Sequence, residues 1–220
     1  MRIFIAPARA SRFVDELIGR YPKLQACRWD IVGAYELLRE SYENHGTLLV
    51  AGNGGSAADA EHIVGELMKE FKMKRKVFSD QAWSLRAVNP EMGERLAQNL
   101  QGALPAISLA GHPSLTTAYM NDADSDLVFA QQVWGYGRPG DVFLGISTSG
   151  NSANVVYAAV AAKAKGLKVI GLTGQRENRL QPYCDVCIHA PETETYRIQE
   201  LHLPIYHILC LMLEEHFFGR

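Results

Sequence analysis

The sequence is short of several features that would each point to a specialised class. It has four cysteines in 220 residues, Cys27, Cys184, Cys187 and Cys210. Those are too sparse for the disulfide framework of a small secreted protein, and reduced thiols are expected. Charge of one sign is also missing: 22 Lys+Arg stand against 24 Asp+Glu, a formal net charge of −2. A dedicated nucleic-acid binder carries a strong basic surplus, so none is expected as a partner. No apolar run approaches the ~20 residues that span a bilayer, and the run from Leu203 to Leu213 is interrupted by His207. The opening stretch, MRIFIAPARASRFVDEL, has no apolar core of the length that a secretory signal needs. A soluble, cytoplasmic protein without a membrane partner is the expectation, and a small anionic substrate remains compatible with the charge.

What is present is ordinary globular material, 47% hydrophobic and 21% charged, enough to fold as one domain over residues 1–220. Residues 11–44 carry helical spacing in two pieces divided at Tyr21-Pro22, within an N-terminal helical segment spanning 1–46 that ends at His45-Gly46. From there short aliphatic runs alternate with helical stretches. Strands are expected at Thr47 to Ala51, Ala106 to Ala110, Asp141 to Ile146, Lys168 to Thr173 and Val186 to Ala190. Helices are expected at about Ser56 to Lys72, Leu127 to Trp134, Asn151 to Lys165 and Arg197 to Phe217. Pro204 is expected to kink the last helix or to mark where it starts. Alternating elements with near-continuously apolar strands predict a doubly wound α/β fold, a three-layer αβα sandwich on a five-stranded parallel sheet. About residues 73–105 interrupt the rhythm and read as an insertion.

In such sheets, ligands sit at the carboxyl ends of strands, where loops feed helix N-termini. Two loops there stand out: Gly52-Asn53-Gly54-Gly55-Ser56 after the first strand, and Ser147-Thr148-Ser149-Gly150-Asn151-Ser152 after the third. Glycine lets backbone approach a ligand, and hydroxyls with free backbone N–H groups suit an anion. One side chain is enough to cap a helix, so five hydroxyl or amide residues out of six favour a phosphorylated ligand. The G-x-G begun by Gly52 and Gly54 meets Ala57 where a dinucleotide fold needs its third glycine, and no Gly-Lys-Ser/Thr occurs.

These loops resemble the two signature loops of sugar isomerase (SIS) domains. With His62, Glu66 and the Arg197-Ile198-Gln199-Glu200 segment, the chain is more narrowly similar to phosphoheptose isomerases, over about 47–72 and 106–217. The resemblance implies conversion of sedoheptulose 7-phosphate into glycero-manno-heptose 7-phosphate through an enediol. It implies substrate contacts from Asn53, Gly54, Gly55, Ser56, Asn121, Asp122, Ser147, Thr148, Ser149, Ser152 and Gln199. Glu66 and His207 are the implied catalytic pair, and His62, Glu66, Gln199 and His207 the implied zinc ligands, in a homotetramer. Glu70 and Tyr196 depart from the family pattern, standing where it has arginine and aspartate.

His62 and Glu66 share one helical face, four residues apart, as a plain i,i+4 contact on a solvated face, a metal pair or an acid/base pair. Gln199 and His207 are eight residues apart, about 12 Å along a helix. Bringing them together requires two long side chains leaning inward, a break near Pro204, or a second subunit. The last helix is apolar on more than one face, which also points to a homo-oligomer. His202, off the matched positions, is expected in a core or interface role. Lys69, Lys72, Lys74, Arg75 and Lys76 read as a solvated helix end. Cys184 and Cys187, three apart in a predicted strand, are expected on opposite faces. The alternative to an enzyme is a non-catalytic SIS module that senses a phosphosugar or docks a partner protein, but such modules tend to lose the residues present here as Glu66 or His207.

Overall fold

The protein is described from a computed structural model covering residues 8–219, with side chains from residue 11 onward. Residues 1–7, at the start of the expected N-terminal helical segment, lie outside the described residues, as does Arg220. Five strands, β1 (Leu48–Gly52), β2 (Ala106–Ser108), β3 (Val142–Ile146), β4 (Lys168–Gly174) and β5 (Val186–Ala190), form one sheet, all parallel, in the order β2-β1-β3-β4-β5. The two-residue side-chain alternation of a strand splits β1 between two cores. Leu48 and Val50 face one, and Leu49 and Ala51 the other.

The first core is closed by α1 (Ala8–Arg20), α2 (Arg28–Glu43), α3 (Gly55–Met68) and α9 (Thr195–Phe218), through residues such as Val14, Ile31, Ile63 and Tyr206. The second is closed mainly by α7 (Val128–Tyr136) and α8 (Ala153–Ala164), through Phe129, Val133, Val155 and Ala159. This is the expected three-layer sandwich. Because β1 lies between β2 and β3, the chain leaves β1 and β3 toward opposite faces, α3 on one and α8 on the other. That is the switch point where open α/β sheets form their ligand crevice.

Residues 73–105 fold largely as a helical hairpin, α4 (Ser79–Val88) and α5 (Pro90–Asn99), turning at Asn89, which caps α5 by accepting from Met92 N at 2.9 Å. Trp83, Val88 and Met92 on this hairpin are 70%, 88% and 67% exposed, the main apolar surface left uncovered. A further helix, α6 (Pro113–Asp122), follows β2 and was not expected from the sequence. None of its residues is fully buried, and Tyr119 packs in part against the second core. α9 runs unbroken through Pro204, starting nine residues before it, so the proline does not mark the start. The apolar faces of α9 are taken up inside the chain: Ile205, Ile208, Leu209, Met212 and Leu213 are buried, while Leu203 is 41% exposed. The helix therefore gives little support to an oligomer, and the hairpin surface gives more.

Candidate active site

Gly54 holds φ +55°, a left-handed conformation that glycine accepts without strain and that starts α3 abruptly after β1. Ser56 is buried beneath the loop. Across the switch point, Asn53 and Asn154 exchange two side-chain hydrogen bonds, each 2.9 Å, tying the first loop to the start of α8. Asn154 is a residue that sequence reasoning missed, because its partner lies 101 positions away. In the second loop Ser147 Oγ and Ser152 Oγ are 3.0 Å apart and Gly150 N donates to Ser147 Oγ at 3.1 Å. Asn151 N donates to Ser149 Oγ at 3.2 Å, Thr148 is half-buried and Ser149 is exposed. Both loops thus stand side by side at one sheet edge. Asn121 and Asp122 close α6 on the exposed surface, and their hydrogen bond, 2.8 Å, is to each other rather than to either loop.

Gly55, Asp59, His62 and Glu66 recur every three or four residues and so line one face of α3. α9 lies along this face in the same direction. A Cβ on Gly55 would stand 2.6 Å from Gln199 Nε2, so the amide of Gln199 rests on the first turn of α3. Further down, the His207 ring meets His62 edge-on with centroids 5.0 Å apart, and Phe71 packs on its other side at 5.2 Å. His62 Nε2 is 3.2 Å from Glu66 Oε1, and Glu66 Oε2 is 3.5 Å from Lys69 Nζ. The structure therefore brings His62, Glu66 and His207 together and leaves Gln199 about two helical turns away. The separation expected from eight residues of helix persists, since α9 is unbroken.

Burial pushes the His207 pKa below the usual imidazole value, His62 pushes it the same way and Glu66 opposes them. His207 Nε2 is buried without a hydrogen-bond partner among the described residues, and the ring borders a cavity of about 430 Å³ with Arg20, Lys72 and Leu203. Two more residues that sequence reasoning missed stand beside this cluster. Tyr206 OH lies 3.0 Å from His62 Nδ1 and donates to Asp59 Oδ1 at 3.2 Å.

Among the described residues no three His, Cys, Asp or Glu side chains stand as a ready metal site. The donor chemistry nevertheless fits zinc at one edge. Ligands ~2.0–2.1 Å from a tetrahedral zinc are about 3.3 Å from each other, close to the 3.2 Å between His62 Nε2 and Glu66 Oε1, and the His207 ring packs against His62 with centroids 5.0 Å apart.

His202 is fully buried, its Nε2 3.3 Å from the Thr173 carbonyl, in the core role expected. Tyr196 is 56% exposed and accepts a hydrogen bond from Arg197 Nε at 2.9 Å, and Glu70 N donates to Gln101 Oε1 at 2.8 Å. Arg75 is not solvated: it is 2% exposed, its charge matched by Glu214. Cys184 and Cys187 do not face opposite sides. Cys184 precedes β5, and both sulfurs converge on Gly171, within 2.8 and 2.9 Å of where its Cβ would be.

Comparison with known proteins gives a consistent picture. Residues 88–174 match the SIS domain family model. The phosphoheptose isomerase of Nitratiruptor sp. is 40% identical over 190 residues, 86% of this chain and 88% of that one. Among solved structures, a phosphoheptose isomerase from Francisella tularensis superposes with a TM-score of 0.73 at 29% identity, covering 93% of this chain and 95% of that one. That of Neisseria gonorrhoeae gives 0.68 at 33% identity, with 94% and 92% covered.

Proposed function

From the premise that the chain belongs to the phosphoheptose isomerase family, we propose that it isomerises sedoheptulose 7-phosphate to glycero-manno-heptose 7-phosphate, using the α3–α9 stripe as its reaction centre. The observation that carries this reading is the meeting of the Glu66 carboxylate, His62 and His207 on that stripe. The stripe begins at two loops rich in hydroxyls and helix-start N–H groups.

The phosphate sits on the loops, held by Ser56, Ser147, Thr148, Ser149 and Ser152 and by the N-termini of α3 and α8, with Asn53, Gly54 and Gly55 shaping the approach. No lysine or arginine is needed for this. Glu66 takes the proton from C1 of the ketose and returns it to C2, while His207 carries the proton between the two oxygens, so that the enediol forms and collapses without net loss of a proton. The lowered basicity of His207 keeps its ring neutral and able to accept. His62, Glu66 and His207 are the residues that would hold zinc. Zinc, when bound, polarises the carbonyl and stabilises the charge that develops on its oxygen. The two oxygens of Glu66 face different neighbours, His62 and Lys69, which allows ligand and base duties to fall on different atoms.

Gln199 belongs to the substrate site at the first turn of α3, and as a zinc ligand it would have to come from a second copy. A homo-oligomer, a tetramer by family resemblance, is supported by the exposed Trp83, Val88 and Met92. No helix among the described residues is long and apolar enough to cross a membrane, and a cytoplasmic setting accords with a phosphorylated substrate.

The test is to incubate the purified protein with sedoheptulose 7-phosphate and follow the aldose phosphate. Glu66→Gln should cut turnover by about 10²–10⁴-fold with sugar binding retained. No aldose product from the unaltered protein, with or without zinc, overturns the reading.

A further inference from the structure

Tyr206 is 2% exposed and precedes His207 on α9, so that it reaches α3 from inside the core. Its hydroxyl has one hydrogen, and this is directed to Asp59 Oδ1 at 3.2 Å. An ionised carboxylate accepts only, so the polarity of that bond is set. Toward His62, 3.0 Å away, the same oxygen can offer only a lone pair. His62 Nδ1 must then carry a hydrogen, and in a neutral imidazole the other nitrogen is bare. That other nitrogen, Nε2, is the atom 3.2 Å from Glu66 Oε1. Two lone-pair atoms facing each other at this distance repel unless a proton or a metal cation lies between them.

We propose that Asp59 and Tyr206 are positioning residues that hold His62 in its Nδ1–H form, so that the lone pair of Nε2 points to a divalent cation shared with Glu66. A metal-bound histidine commonly donates its second nitrogen to a carboxylate or carbonyl. Here the carboxylate acts through a tyrosine from a different helix, which ties the orientation of His62 to the docking of α9 on α3. The inference rests on the isomerase reading only in giving His62 and Glu66 a cation to share.

The experiment uses the full-length protein freed of metal and labelled with ¹⁵N-histidine. In the unaltered protein the His62 signals should show a protonated Nδ1 throughout, with Nε2 losing its hydrogen as zinc is added. Tyr206→Phe, which keeps the ring packing, should release His62 to the Nε2–H form and lower zinc affinity by about 10–100-fold in chelator competition. Asp59→Ala should do the same, and Asp59→Asn, which retains an oxygen acceptor, should keep most of the affinity. The double variant Tyr206→Phe/Asp59→Ala should be no weaker than either alone, since the two act in series. An unchanged tautomer and affinity in Tyr206→Phe, or a metal-free protein that takes up no zinc, overturns the proposal. Neither readout requires substrate, so a protein that passes both and turns over no sugar phosphate counts against the isomerase reading alone.

Discussion

Arg75 Nε and Glu214 Oε1 meet at 2.8 Å with side chains 0% and 1% exposed, so the two charges neutralise each other inside the protein. Each also serves the backbone around the proposed reaction centre. Arg75 donates to the carbonyls of Glu66 and Leu67, closing the end of α3, and Glu214 accepts from the N–H groups of Phe71, Lys72 and Met73. Removing one partner of a buried pair strands the other, at a cost of about 3–5 kcal/mol. Arg75→Met should therefore lower stability by that order in urea unfolding. Adding Glu214→Gln should cost less than the sum of the single changes, because the stranded charge is then gone. A strictly additive double variant would refute the coupling.

Gly55 allows a different separation, between stability and activity. Its φ is not among the positive values of the chain, so alanine suits the first turn of α3 and should leave stability unchanged or raise it by up to about 1 kcal/mol. The new Cβ would stand 2.6 Å from Gln199 Nε2, and the flexible amide must move away. Gly55→Ala is expected to melt at or above the temperature of the unaltered protein while KM rises several-fold. An unchanged KM in a variant that melts no lower than the unaltered protein would place Gln199 outside the substrate site.

His202 makes stability depend on pH. Burial pulls its pKa from 6.5 down to about 4, and the Thr173 carbonyl only partly opposes this. The unfolded chain then binds the proton more readily than the folded one between those values. The stabilising effect of the neutral ring is complete above pH 6.5 and is lost as pH falls toward 4, by up to about 3 kcal/mol. Unfolding free energies at pH 7.5 and 4.5 should differ less in His202→Asn, which does not titrate. An equal difference would show that other groups account for it.

The four thiols should react unequally. Burial pushes Cys27 and Cys210 up to about 12, so both should resist alkylation in the folded state. Cys187 is lowered, chiefly by the neighbouring Cys184 thiol and further by His189 and Thr173, against the opposing effect of burial, and Cys184 is raised. Peptide mapping after brief treatment with iodoacetamide at neutral pH should find Cys187 labelled first. Earlier labelling of Cys184 would reverse the assignment of donor and acceptor.

The strands, the two loops and the His62–Glu66 pair were legible in the sequence because each is a local pattern. An apolar run, a cluster of small polar residues and an i,i+4 spacing all lie within one window. α6 was not legible, since none of its residues is fully buried and its few apolar positions, Leu115, Ala118 and Tyr119, make too short a pattern among turn-forming residues to single it out. Arg75 resembled its solvated neighbours, because what buries it, Glu214, is 139 residues away. Tyr206 looked like one more apolar residue in an apolar helix, and Asp59 like one more charge on a surface helix. Only the parallel docking of α9 on α3 gives the two a common purpose. The opposite-face reading of Cys184 and Cys187 failed because the strand begins after Cys184, at Val186.

The stripe shared by α3 and α9 also bears on how the chain can vary in length. One residue inserted between Gly55 and Glu66 would turn everything beyond it by about 100° and advance it by about 1.5 Å, rotating His62 or Glu66 off the shared face. The same holds from Gln199 to His207. Those two windows must therefore keep their length while their letters change, whereas the hairpin of α4 and α5, joined at a turn and largely outside both cores, is free to grow or shrink. Gap-free columns in the two windows, beside ragged ones in the hairpin, are the trace that this geometry should leave in descendants of the same fold.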